Sequence, residues 1–288
     1  MVCWSLSFIW YKEAYQFFGP MTTIFFRLII SGVLLLFIAL LGGKLKIEKK
    51  HFILFILAAF FEPFLYFMGE SFGMQLVSSV TAAVIVSTIP VFTPIISSFF
   101  YEEKLSFVNI AGIVISFTGV SLVIIGKGLK LEASTTGIIL MFVAVAAAIG
   151  YSIVLKKIIP HYEPITIVAI QNAIGTVMFA PLFFILEWNT FASGFSVIAF
   201  IPILKLSIFA SSIAFIFYAY GVNAIGVSRA NIFTNLIPVL TSIFAFFFLK
   251  EHFTSIKITG IFITVTGLFL SQINSSFYGK LHRLFIKK

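Results

Sequence analysis

Val80–Leu122 reads VTAAVIVSTIPVFTPIISSFFYEEKLSFVNIAGIVISFTGVSL, and Ser228–Leu270 reads SRANIFTNLIPVLTSIFAFFFLKEHFTSIKITGIFITVTGLFL. Laid on each other at a constant offset of 148, without a gap, they agree at sixteen of 43 positions. Composition this biased would give about four agreements by chance. The matches include Ile89-Pro90-Val91 on Ile237-Pro238-Val239, Phe99-Phe100 on Phe247-Phe248 and Glu103 on Glu251. Gly112-Ile113 falls on Gly260-Ile261, and Thr118-Gly119 on Thr266-Gly267. Farther upstream, Pro20-Met21-Thr22 answers to Pro164-Ile165-Thr166 after a small shift. The chain is expected to hold two copies of one unit, 1–126 and 137–275, followed by a basic tail, 276–288.

The unit belongs in a membrane. Of 288 residues, 60% are hydrophobic, 17% aromatic and only 10% charged, with mean hydropathy +1.14. A soluble domain would be about one quarter charged. Charges, Gly and Pro divide the sequence into ten apolar runs, near 1–17, 21–42, 51–73, 78–100, 107–126, 137–157, 164–187, 198–222, 228–249 and 256–275. A lipid-exposed backbone must satisfy its own hydrogen bonds, so runs this long predict helices; a barrel would need ~10-residue alternating segments. The fold predicted is an all-α polytopic membrane protein of ten transmembrane helices. Ten spans of ~20 residues leave only short connections and no extramembrane domain.

Five helices per copy is an odd number, so the second copy must enter the membrane inverted with respect to the first. The charges agree. Lys44, Lys46, Lys49 and Lys50 follow helix 2, whereas its counterpart 187–197 has no Lys or Arg. Lys156 and Lys157 follow helix 6, Arg229 precedes helix 9, and Lys280, Arg283, Lys287 and Lys288 mark the tail. With both termini cytoplasmic, twelve of nineteen bases lie inside, as the positive-inside rule requires. The outer side takes Lys12, Lys127, Lys130, Lys205, Lys250 and Lys257. The net charge of +9 therefore reflects membrane orientation, and no nucleic-acid partner is expected. If Trp4 answers to Tyr151, helix 1 is truncated by roughly eleven residues and barely crosses a ~30 Å core. Met1 runs into apolar sequence without the basic start of a cleavable signal.

Catalytic and metal signals are missing. There is no HExxH, GxSxG or GxxxxGK[ST], and the single Cys3 excludes a cysteine cage. His51, His161, His252 and His282 fall at helix ends or in the tail and are not expected to converge as ligands. No enzyme, cofactor or metal is predicted.

The polar residues inside the apolar runs are the candidate site. Glu62, Tyr66 and Glu70 recur at four-residue steps along helix 3, and Pro63 follows Glu62. A carboxylate at mid-membrane is costly and usually functional, and either Glu could carry a proton. Arg27 of helix 2 lies at the depth of Glu70, where an ion pair or a substrate clamp are alternatives. Pro90 and Pro94 in helix 4 and Pro238 in helix 9 would free backbone acceptors near the midplane. Asn231, Asn235 and Pro238 form one stripe, matched by Ala83, Ser87 and Pro90; Asn235 and Ser87 are expected to face the bundle. Tyr218 takes the position of Glu70 in the second copy. Gln171 and Asn172 take those of Arg27 and its neighbour, as packing or helix-joining groups. Gly112, Gly119, Gly260 and Gly267 are expected to allow close helix contact.

Two inverted five-helix units in one chain resemble the drug/metabolite transporter superfamily, specifically proteins with two EamA domains. The resemblance is carried by Ala82–Glu103 with Gly112 and Gly119, and by Ala230–Glu251 with Gly260 and Gly267. It implies a ten-helix bundle with a central cavity, alternating access, and export of amino acids or other small metabolites across the cell (inner) membrane. On that reading Glu62 binds substrate or a coupling proton, Arg27 and Glu70 form or support a gate, and Ser87, Tyr218, Asn231 and Asn235 line the cavity. The competing expectation is a non-transporting membrane receptor or assembly protein, which would have a solid apolar centre.

Overall fold

A computed structural model describes residues 1–43, 45, 47–92, 106–125, 133–194, 196–226, 230–231 and 233–272. Pro94, Glu103, Arg229 and the tail 276–288 lie outside them. Every regular element among the described residues is helical. Six helices are long and apolar enough to cross a membrane: α2 (Pro20–Leu41), α3 (Lys49–Leu76), α5 (Phe107–Ile124), α6 (Thr135–Ile158), α7 (Pro164–Leu186) and α8 (Val197–Ile225). Shorter apolar helices are α1 (Val2–Ala14), α4 (Ser79–Phe92), α9 (Phe233–Phe248) and α10 (Ser255–Ser271). Helix α1 has 13 residues against 24 in α6.

Local sequence sets the helix ends. Pro20 and Pro164 open α2 and α7 at first-turn positions, where a missing N–H costs nothing. Ser106 caps α5 by accepting from Asn109 N, and Thr254 caps α10 by accepting from Lys257 N. These two caps stand at the same place in the sequence repeat. Gly226, at φ +83°, closes α8 in a conformation that glycine adopts without strain.

Helices α5 and α10 run antiparallel with almost no side chain between them. A Cβ on Gly260 would stand 2.8 Å from Val123 Cγ2 and 3.0 Å from Gly119 O. On Gly112 it would overlap the backbone of Ser271, on Gly119 that of Thr264, and on Gly267 that of Ser116. The pairs are reciprocal: Gly112 meets Ser271 while Val123 meets Gly260, and Ser116 meets Gly267 while Gly119 meets Thr264. The sequence's glycine stripes thus become one backbone-to-backbone seam. Helix α2 packs along α7 in the same antiparallel sense, with the Phe25 and Phe183 rings stacked at 4.6 Å.

Two helices are interrupted. Phe60–Leu65 of α3 and Leu206–Ile213 of α8 are π-helical, and Glu62 leaves helical geometry altogether at φ −146°, ψ 115°. Pro63 supplies the first break, and its ring lies against Gly175 of α7. In α8, Ser212 Oγ donates to Ser207 O at 2.9 Å, meeting a carbonyl that the wide turn displaces.

Polar contacts gird one end of the bundle. Glu187, just past α7, accepts from Met21 N at 3.1 Å and from Thr22 N at 2.8 Å, capping α2. Lys12 Nζ donates to Met74 O at 2.6 Å and Val77 O at 2.7 Å, closing α3. Lys205 pairs with Glu13 at 3.4 Å. At the other end the α2–α3 and α6–α7 connections meet. His51 and His161 stack with centroids 4.6 Å apart, and His51 Nδ1 lies 2.8 Å from the Tyr162 hydroxyl. The two connections are neighbours in space rather than in sequence, and this brings the two rings together. Even so, no three potential metal ligands gather among the described residues. Nearby, Lys50 lies 2.7 Å from Glu48 and holds that exposed carboxyl below its usual range.

Large apolar side chains such as Val33, Phe37, Val177, Ile185, Phe217 and Phe262 point outward. Surface of that kind is a liability in water and the expected contact with acyl chains in a bilayer. The chain is a multi-pass membrane protein.

Candidate functional site

The polar groups that cannot face lipid turn inward, around a shared cavity. Helix α3 contributes Glu62, Tyr66, Phe67 and Glu70, and α2 contributes Arg27. Facing them are Tyr151 and Ser152 of α6 and Phe215 and Tyr218 of α8. Trp4 and Ser7 of α1 form another wall, and Val86, Ile89, Thr234 and Ile237 of α4 and α9 a further one. Glu62 stands at the middle of the 28-residue α3, about 20 Å from either end at 1.5 Å per residue.

Arg27 is held on every side. Its Nη1 lies 3.9 Å from Glu70 Oε2 and donates to the Tyr11 hydroxyl, while Nε donates to Ser211 Oγ. Its guanidinium carbon sits 4.1 Å above the Phe67 ring and 5.3 Å from that of Tyr11. Tyr66 donates to Glu70 Oε1 at 3.0 Å. Of the two readings of Arg27, the structural pair is therefore formed. Behind it, Asn172 Nδ2 donates to Ser31 Oγ at 2.7 Å, and Ser31 shares a hydrogen bond with Ser212 at 2.8 Å. Asn172 joins helices, while Gln171 Oε1 is buried without a hydrogen bond.

Glu62 differs from Glu70. It is buried, at 7% exposure, and it borders the cavity. No side chain among the described residues pairs with it. Tyr218 lies across the space and donates to Asn231 Oδ1 at 2.8 Å; Asn231 also borders the cavity.

Two residues expected in the lining, Ser87 and Asn235, fall outside it. Ser87 is fully buried and donates to Val84 O at 2.7 Å. Asn235 is fully buried and accepts from Gln272 Nε2 at 3.3 Å. Pro90 and Pro238 are buried one residue beyond the lining Ile89 and Ile237. The cause is local geometry. Phe233–Leu236 is a 3₁₀ turn, and bonds from Thr88 N to Ile85 O and Val91 N to Thr88 O tighten α4 likewise. In such turns residues three apart share a face, so 231, 234 and 237 line the cavity rather than 231, 235 and 238. Pro94, the remaining expected helix break, lies outside the described residues.

Trp4, Tyr151, Phe215 and Thr234 were not singled out as cavity residues by sequence reasoning. A signal for Phe215 and Thr234 existed, since cavity positions recur at the repeat offset: Phe67 with Phe215, Glu70 with Tyr218, Val86 with Thr234, and Ile89 with Ile237. Charge does not recur, because Glu62 answers to Ala210 and Arg27 to Gln171.

Comparison with known proteins agrees with this architecture. The sequence model of the EamA-like transporter family matches residues 1–125 and 135–273. A protein of Archaeoglobus fulgidus named as an uncharacterised transporter is 28% identical over 93% of this chain and 94% of its own. The Bacillus subtilis transporter YdfC is 25% identical over 98% and 90%. A chloroplastic WAT1-related protein of Arabidopsis thaliana is 25% identical over 93% of this chain and 66% of its own. One solved crystal structure superposes with a TM-score of 0.71, covering 94% of this chain and 97% of that one; at 14% identity it shows a shared fold. The chain belongs to the EamA-like transporter family, whose members are transporters rather than enzymes, and its partners are a bilayer and a small-molecule substrate.

Proposed function

We propose that this member of the EamA-like transporter family is a secondary transporter that exports a small metabolite across the cell membrane, by exposing its central cavity to one side and then the other. The observation that carries this reading is the cavity itself, a largely aromatic-walled space at mid-depth with an unpaired Glu62 on its wall. A bundle serving only assembly is expected to have a solid apolar centre instead. Two inverted five-helix halves, with both termini cytoplasmic, accord with the reciprocal α5–α10 contacts, the π-helical segments at matching places in α3 and α8, and the recurrence of cavity positions. Midplane sites between inverted repeats, built beside interrupted helices, suit alternating access. No nucleotide-binding motif occurs, so a gradient drives the cycle, and Glu62 binds the substrate or the coupling proton.

The test is tolerance. Cells expressing the chain should survive toxic metabolite analogues, across a panel of amino acids and amines, that arrest cells carrying empty vector. Glu62→Gln, at equal membrane abundance, should abolish the protection. Protection against nothing in the panel, or protection unchanged by the substitution, would remove the transport role given to this cavity.

A further inference from the structure

The charges and aromatic rings of the cavity say more about what fits there. Arg27 is the cation on the wall, and Glu70 already balances it at 3.9 Å. Its Nη1 also donates to Tyr11, its Nε donates to Ser211, and Phe67 covers one face. Three hydroxyls along the wall are likewise engaged, Ser7 donating to Trp4 O at 2.7 Å, Ser152 to Ala148 O at 2.9 Å and Thr234 to Asn231 O at 2.6 Å, while the neutral Tyr151 hydroxyl has no hydrogen-bond partner among the described residues. The Tyr218 hydroxyl is spent on Asn231. Glu62 is left as an acceptor without a donor, facing the space. Around it stand π faces. Trp4 meets Phe215 edge-on with centroids 5.2 Å apart and Tyr218 at 5.3 Å, and Tyr66 and Tyr151 complete the wall.

We propose that the cavity takes an organic cation, an ammonium group on an apolar or aromatic body, and selects it over the matching amino acid or carboxylate. This rests on the transport reading for its biological sense, but the binding claim stands on its own. A desolvated carboxylate lined by aromatic faces attracts ammonium by charge and by the ring quadrupoles. A ligand carboxylate would meet Glu62 as a like charge and find no unmatched cation, so its desolvation would go uncompensated. A zwitterion gains at one end and loses at the other.

A matched ligand series tests this on the wild-type full chain, purified in detergent micelles and followed by calorimetry. The probes are 2-phenylethylamine, phenylalanine and 3-phenylpropionate, with phenyltrimethylammonium as a fixed cation. The amine and the fixed cation should bind about tenfold or more tighter than phenylalanine, and phenylpropionate not at all. Glu62→Gln should weaken amine binding by about tenfold or more, and Glu62→Asp should restore part of it. Trp4→Ala should weaken it by about threefold or more. Equal or tighter binding of phenylalanine, absence of amine binding to wild type, or indifference to Glu62→Gln in a chain of unchanged elution and melting would overturn the proposal. Uptake of the same probes into proteoliposomes separates the two readings. Amine binding without uptake keeps the cation site and rejects transport, whereas uptake of phenylalanine alone keeps transport and rejects the cation site.

Discussion

Arg27 Nη1 and Glu70 Oε2 lie 3.9 Å apart in a setting where their side chains are 2% and 6% exposed, so neither charge reaches bulk solvent. Such a pair is worth little more than an apolar replacement, yet removing one member is costly because the other stays buried and unmatched. Arg27→Met should therefore destabilise the chain by about 3–5 kcal/mol. Arg27→Met with Glu70→Met should recover most of the loss. Thermal melting in detergent, read by fluorescence size exclusion, decides it. A double variant no more stable than the single would show that Arg27 acts through Tyr11, Ser211 and Phe67 instead.

The α5–α10 seam makes a steric prediction. Gly119→Val and Gly267→Val each place side-chain carbons where the facing backbone already stands, and each should cost at least about 1–3 kcal/mol. Gly221→Ala is the control, since the nearest atom to a Cβ there is the Ala230 methyl at 4.0 Å. Its melting temperature should be equal to or slightly above that of wild type, since alanine favours a helix interior over glycine.

Glu187 offers a test of long-range capping. Its carboxylate accepts from Met21 N, Thr22 N and the Thr22 hydroxyl, tying the end of α7 to the start of α2. Glu187→Ala should cost about 0.5–2 kcal/mol, with Glu187→Asp intermediate. Hydrogen exchange should locate the loss in the first turn of α2.

Sidedness is tested by single cysteines in a Cys3→Ser background. Cysteines replacing the exposed Glu48 and Glu163 should react with an impermeant maleimide from the cytoplasmic side, since the stacked His51–His161 pair joins their connections. Those replacing Gln16 and Asn189, both exposed at the opposite end, should react from outside. Reaction of Glu48→Cys and Glu163→Cys from different sides would contradict the fold.

Much of this was legible in the sequence because glycine and proline act locally. Gly112, Gly119, Gly260 and Gly267 could be read as a contact face from spacing alone, and Pro20 and Pro164 as matching points of the two copies. Glu62, Tyr66 and Glu70 shared a face by arithmetic. Asn235 and Ser87 misled because a 3.6-residue period was applied where the chain tightens to three residues per turn, which moved the lining to Thr234 and Val86. The His51–His161 stack was invisible, because it depends on how two connections meet and no periodicity within one helix encodes that. Tyr11 and Ser211 were missed for the same reason: they matter only as the surroundings of Arg27.

The seam between α5 and α10 constrains how the molecule can flex. Backbones in direct contact cannot slide or spread without opening a void in the bilayer, so these two helices act as a common keel. Compliance must come from where the hydrogen-bond ladder is already loosened, at Phe60–Leu65 and Leu206–Ile213. Glu62 lies within the first of these segments, so a ligand that grips its carboxylate would pull directly on that loosened turn.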